Sequence, residues 1–231
     1  MNWKARLKHA IPPAWLNQTL LALPFLYATP LVRWETNLTE DGGVEDLLDQ
    51  LERSMPLEGD ILECGSSRCG GSVLMGRALR ARGRVKTIFA CDSFAGFDLA
   101  ELHDERHLGR TDATDQDFTS TSLAYVRRKL EVLGMDEVVR PVPGYFQDTL
   151  PGLDRRWCFS LIDCDLEKSM TYCAEYAWPR TVPGGRIVFD DYGRDRFAGA
   201  RVAVDAFVEK HRTEIAEHGL LQRLYFVTRR A

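Results

Sequence analysis

The stretch Gly59–Ser72, GDILECGSSRCGGS, constrains this chain more than any other. Ile61 and Leu62 read as a short buried strand that ends in Glu63. Gly65, Gly70 and Gly71 then turn the chain, and a helix is expected from about Val73 to Arg82. In open α/β sheets a ligand sits beyond the carboxyl ends of the strands. Glycine there lets a ligand approach the backbone, and a helix N-terminus offers free N–H groups.

The loop departs from the dinucleotide pattern G-x-G-x-x-G. Gly65 and Gly70 fit the first and third places, but Ser67 stands where the backbone must touch a pyrophosphate. Glu63 would repel a polyphosphate at short range. An acid two residues before the turn suits a ligand that brings an ammonium group and no phosphate, such as S-adenosylmethionine (SAM). A plain strand-to-helix turn with incidental glycines also fits this loop taken alone.

Downstream, strand and helix patterns alternate. Val44, Leu47, Leu48, Leu51 and Met55 recur at helical spacing before the glycine loop. A second strand, about Lys86–Cys91, ends in Asp92, one strand–helix–strand unit after Glu63. A carboxylate there can accept from both hydroxyls of a ribose. Ser93–Phe118 is polar, without periodicity, and is expected to be a functional or mobile loop. Thr119–Leu133 reads as a helix closed by Gly134, and Val138–Val142 as a third strand. Trp157–Asp163 is nearly all apolar, as a central parallel strand should be, and Ser169–Trp178 reads as its helix. Pro183-Gly184-Gly185 is expected to turn the chain into the strand Arg186–Phe189, followed by a helix over Gly199–His211. Glu214–Arg229 alternates like a terminal hairpin. The expected fold is a doubly wound α/β sheet, mostly parallel, with an antiparallel end.

Two acid pairs stand at strand ends: Asp163 and Asp165 after the fourth strand, Asp190 and Asp191 after the fifth. Neighbouring strand ends lie about 5 Å apart, so four carboxylates would converge. Like charges half-removed from water are costly unless some are protonated or a cation sits among them. Oxygen-only donors favour Mg²⁺ or Ca²⁺ over zinc. Helix or turn capping is the plainer role for such aspartates.

Composition sets outer limits. The 231 residues carry a net charge of −4, so no basic excess invites nucleic acid. Six cysteines, none in C-x-x-C, read as buried reduced thiols of a cytoplasmic protein. The apolar run Leu20–Val32 is broken by Pro24 and Pro30 and is too short for a transmembrane segment. Residues 1–43 are expected to form an arm or lid, with a homodimer contact or a membrane-surface contact as other uses. Residues 44–231 are expected to form the main domain.

Five stretches together resemble class I SAM-dependent methyltransferases, specifically the macrocin O-methyltransferase-like branch: ECGSSRCGGS (63–72), CDSFAGF (91–97), PGYFQDTLP (143–151), IDCDLEKS (162–169) and PGGRIVFDDYG (183–193). The resemblance implies a seven-stranded Rossmann-like sheet with a reversed C-terminal hairpin. It implies that Glu63, Gly65 and Ser72 line the methionine end of SAM, that Asp92 holds the ribose with Ser93 beside it, and that Gly144, Tyr145 and Phe146 flank the adenine. It implies Mg²⁺ held by Asp163, Asp190 and Asp191, with Asp165 a fourth candidate. Its members methylate hydroxyls of small molecules, often sugars of natural products. Related catechol-type enzymes carry a lysine base where this chain has Leu166, so a carboxylate, first Asp190, is expected as the base, with Lys168 behind it. The rival expectations are a metal-free SAM enzyme using His103, His107 or His218, a nicotinamide-dependent oxidoreductase, and a binding protein without turnover.

Overall fold

A computed structural model describes residues 42–231. The arm expected over residues 1–43, including Leu20–Val32, lies outside the described residues except for Gly42 and Gly43.

Helix α1 (Gly43–Ser54) buries Val44, Leu47 and Leu51 and leads into β1 (Asp60–Cys64). Then follow α2 (Gly70–Ala81), β2 (Ile88–Asp92), α3 (Leu99–His107), α4 (Leu123–Leu133) and β3 (Val139–Pro143). A single turn α5 (Phe146–Thr149) precedes β4 (Trp157–Ile162), α6 (Glu167–Ala177), β5 (Thr181–Phe189), α7 (Ala198–His211) and the hairpin β6 (Ile215–Leu220) and β7 (Tyr225–Arg229). The seven strands lie in the order β3-β2-β1-β4-β5-β7-β6. The first five are parallel, and β7 runs antiparallel to β5 and β6. This is the doubly wound, seven-stranded sheet with a reversed terminal hairpin that was expected.

Period-two alternation divides the core. Ile61, Ile88, Ala90, Phe159 and Val188 pack under α1, α2 and α4. Leu62, Cys64, Phe89, Cys91, Ile187 and Phe189 face the other way, under α6 and α7. Two buried faces explain why β1, β2 and β4 read as continuous apolar runs.

Two readings need correction. The segment 93–118 is not a loop throughout, because Asp98 accepts from the backbone of Ala100 and Glu101 and starts α3 there. Pro183-Gly184-Gly185 is no turn but lies inside β5, in a stretch where the pairing with β4 shifts register between Trp157 and Phe159. Proline is tolerated at such an irregularity, where no ladder hydrogen bond is required of it. Smaller shifts are ordinary end effects. Helix α2 begins at Gly70, and Ser122 rather than Thr119 caps α4 by accepting from Tyr125 N at 3.2 Å.

Candidate active site

Four strands end in register. Cys64 pairs with Cys91 on one side and Ile162 on the other, and Ile162 pairs with Phe189. The residues one step further, Asp92, Gly65, Asp163 and Asp190, therefore form one rim at the carboxyl edge. Hydrogen bonds continue the ladder into it, from Gly65 N to Cys91 O at 2.9 Å, Asp163 N to Cys64 O at 2.8 Å and Asp190 N to Ile162 O at 3.0 Å. A pocket opens at this rim. Glu63, Gly65, Asp92, Ser93, Gly144, Tyr145, Phe146, Asp163 and Asp165 all line it.

On its first side stands the glycine loop. Gly65 has φ +86°, and a side chain there would overlap the Asp163 carbonyl oxygen. A side chain at Gly71 would overlap the Glu63 carboxylate. Both positions thus keep a bare backbone beside two acids, the cradle that a close-fitting cofactor needs. Glu63 shares the strand face of Ile61, which turns its carboxylate toward the start of α2, where the Ser72 hydroxyl donates to it. Burial pushes the Glu63 carboxyl up to about 8, with the Ser72 hydrogen bond opposing. Ser72 is fully buried and stands behind Glu63 rather than in the pocket wall. Lys129, fully buried on α4, donates to the Arg68 carbonyl at 2.6 Å and pins the loop from behind.

Asp92 accepts from Ser67 N at 2.8 Å through one oxygen and from Phe94 N at 2.6 Å through the other. These bonds fix its orientation and leave each oxygen a lone pair that can accept a further hydrogen bond. Burial nevertheless raises its pKa from the usual aspartate value, with these two backbone bonds opposing. Ser93 donates to the Gly96 carbonyl at 2.6 Å and shapes the next turn. Phe97 and Phe118 add apolar wall, packed edge-to-face at 5.1 Å.

On the other side Asp163, Asp190 and Asp191 each offer an oxygen, all within 4.8 Å of one another. Removal from water, then the charges of Asp190 and Asp191, push Asp163 well above the usual carboxylate range. Burial and Asp190 raise Asp191 to about 6. Asp165 is outside that group of three but hydrogen-bonds Asp191, and burial followed by the Asp191 and Asp163 charges raises it strongly. Asp165 and Asp191 both adopt the left-handed backbone, with φ of 64° and 61°. Asp tolerates that region better than most residues, yet it carries strain that clusters at working sites. An all-oxygen donor set that repels itself when ionised fits a hard dication.

The residue that sequence reasoning missed is Arg223. From the β6–β7 turn its Nε and Nη2 donate to the two oxygens of Asp190 at 2.7 and 2.5 Å. The side chain of Asp190 is 1% exposed and that of Arg223 3% exposed. Among the described residues no histidine lines the pocket; His103 meets Asp115 at the surface, and His218 meets the Tyr225 hydroxyl in the hairpin. Lys168 is exposed and bound to Asp104 at 2.6 Å. The six cysteines are free and buried. Among the described residues, no helix is long and apolar enough to cross a membrane.

Comparison with known proteins agrees with the geometry. The family model described as Macrocin-O-methyltransferase (TylF) matches residues 44–218. A tetracenomycin-C 4'-O-methyltransferase of Streptomyces olivaceus is 35% identical over 148 residues, covering 59% of this chain and 54% of that protein. Mycinamicin III 3''-O-methyltransferase of Micromonospora griseorubida is 31% identical over 161 residues, covering 66% of this chain and 61% of that protein. The chain thus spans little more than half the length of the curated relatives it matches. Among solved structures, the O-methyltransferase NovP superposes with a TM-score of 0.67 at 25% identity, covering 81% of this chain and 79% of that one. The calicheamicin methyltransferase CalS11 gives 0.65 at 19% identity, covering 94% and 91%, a likeness of fold. By the family match over residues 44–218, this chain belongs to the macrocin O-methyltransferase (TylF) family.

Proposed function

We propose that this protein transfers the methyl group of SAM to a hydroxyl of a small molecule, a sugar or other natural-product diol, with the aid of Mg²⁺. The observation that carries the reading is the shared rim: Glu63, Asp92, Asp163 and Asp165 line one pocket, with Asp190 and Asp191 beside Asp163.

Glu63 would receive the ammonium of the methionine end, aided by Ser72, while Gly65 and Gly71 leave room for it. Asp92 would hold the ribose, and Gly144, Tyr145 and Phe146 the adenine. Bound SAM supplies a methyl already activated on a sulfonium, so the protein's task is to align the acceptor oxygen and strip its proton. Asp163, Asp190 and Asp191 would hold the ion. A divalent ion there supplies Lewis acidity toward an acceptor hydroxyl and a preference for vicinal diols.

Asp190 was the expected base, but each of its oxygens accepts from Arg223, which leaves one lone pair apiece for an ion and ties the carboxylate down as a ligand. Asp165 lines the pocket and lies outside the group of three that would hold the ion, so its carboxylate is placed to accept a proton from the acceptor hydroxyl. We assign it the role of base. The mass spectrum of reactions with labelled SAM, Mg²⁺ and a panel of sugars, phenols and lipids tests the reading. Label on a hydroxyl oxygen, lost in excess chelator, supports it; label on no hydroxyl overturns it.

Arg223 favours a second reading, metal-free transfer, because its guanidinium already balances one carboxylate of the cluster. Undiminished turnover in chelator selects that reading.

A further inference from the structure

Helix α3 has no apolar stripe, yet it buries two carboxylates, Glu101 and Glu105, at 6% and 3% exposure. They stand four residues apart, on one helix face. Glu101 accepts from Ser169 N at 2.8 Å and from the Ser169 hydroxyl at 2.6 Å. Ser169 lies in the first turn of α6, whose own N-cap position is Leu166 and provides no side-chain cap. Glu105 lies against Gly199 in the first turn of α7, whose N-cap Phe197 likewise provides none. Its Oε2 faces that turn without a hydrogen-bond partner among the described residues, and its Oε1 accepts from Arg110 at 3.3 Å. One helix therefore offers a carboxylate to the positive ends of two others.

Those two helices follow the two acid loops. Asp163 and Asp165 enter α6, and Asp190 and Asp191 lead toward α7. The chain after α3 ties down the same loops. Arg110 also pairs with Glu167, its carbonyl accepts from Ala198 N at 3.0 Å, and Thr111 bridges Phe197. Arg196 reaches back to Asp112 at 2.9 Å and Asp117 at 3.0 Å.

We infer that Glu101 and Glu105 are positioning residues for the acid cluster: from α3, Glu101 caps the helix that follows one acid pair, Glu105 packs its carboxylate against the start of the helix that follows the other, and together they set the spacing between the pairs. The inference rests on the metal reading above, and the experiment separates the two. Mn²⁺ binding followed by electron paramagnetic resonance reports the cluster, and hydrogen exchange reports each loop. Glu101→Ala is expected to weaken Mn²⁺ binding by about tenfold or more, as loss of a partner behind metal ligands generally does. It should speed exchange over residues 163–169 and leave residues 190–200 unchanged, with SAM affinity retained. Glu105→Ala should do the reverse to the two segments. Glu101→Gln, which keeps an acceptor for Ser169 N, should restore most of the Mn²⁺ affinity. Should the alanine variant fail to fold, Glu101→Asp, which draws the charge back by one methylene, should still weaken Mn²⁺ binding several-fold. Variants that fold and bind Mn²⁺ as the unaltered protein does overturn the inference. If the unaltered protein binds no Mn²⁺, the metal reading fails alone; segment-specific exchange then upholds the positioning role, and unchanged exchange overturns it.

Discussion

Arg223 and Asp190 form a two-point ion pair under the acid cluster, 33 residues apart in sequence and both out of water. The antiparallel end of the sheet makes this possible. Phe189 pairs with Tyr225, so the β6–β7 turn arrives beside the end of β5. The terminal hairpin therefore does more than cover an edge, since it delivers a cation that holds a cluster acid at both oxygens.

Breaking this pair from one side strands a buried charge. Arg223→Met is expected to cost about 3–5 kcal/mol, because Asp190 loses its partner without regaining water. Removing both charges in Arg223→Met with Asp190→Asn should recover at least half of the loss. Thermal denaturation of the two variants checks this, and a double variant no better than the single one would refute it.

Glu63 gives the site a pH dependence. Its carboxyl titrates at about 8 without ligand, so near neutrality it is mostly protonated. A cationic ligand favours the ionised form, so SAM binding should release a proton and tighten as pH rises from 6 to 7.5, approaching tenfold per unit at about the lower end. Stability of the ligand-free protein moves oppositely. The folded state binds a proton that the unfolded chain releases, so this group's contribution is present below its unfolded pKa and is lost as pH rises toward about 8. Calorimetry in buffers of different ionisation enthalpy measures the proton. The same slope in Glu63→Gln would remove Glu63 from the explanation.

The two glycines beside the acids should fail differently. Gly65→Ala meets the Asp163 backbone and a positive φ together, so neither neighbour can yield cheaply. Gly71→Ala meets the far end of the Glu63 side chain, which can move. Gly65→Ala is expected to lower the melting temperature sharply, while Gly71→Ala folds with SAM affinity reduced by about tenfold, the worth of one displaced charged contact. Melting curves and SAM titration of both variants decide it.

What the sequence disclosed follows from what periodicity can carry. Glu63, Asp92, Asp163 and Asp190 each end an apolar run, and a parallel sheet places such ends side by side. Helix α3 stayed hidden because its buried face consists of Glu101, Leu102 and Glu105, where carboxylates meet helix ends instead of oil. The role of Arg223 stayed hidden because nothing local marks its partner across the sheet. The strand through Pro183 and Gly184 read as a turn because composition there is that of a turn, while the register shift that accommodates it is a tertiary fact.

The acid cluster itself can be weighed without an acceptor. Asp163, Asp165 and Asp191 all have raised proton affinity when folded, Asp191 to about 6. Their contribution to the metal-free protein is therefore greatest below the unfolded carboxylate range and falls as pH climbs through their folded values. At pH 8 Mg²⁺ should offset that loss, by about 2.7 kcal/mol at a hundred times its dissociation constant. At pH 5 protons compete for the same oxygens and the gain should be small. Asp191→Asn removes one repelling charge at constant shape, so it should melt higher than the unaltered protein at pH 8 without Mg²⁺ and gain little when Mg²⁺ is added. A variant that instead melts lower without the ion would mean that these carboxylates attract more than they repel, with Arg223 and Arg194 already supplying the positive charge the cluster needs.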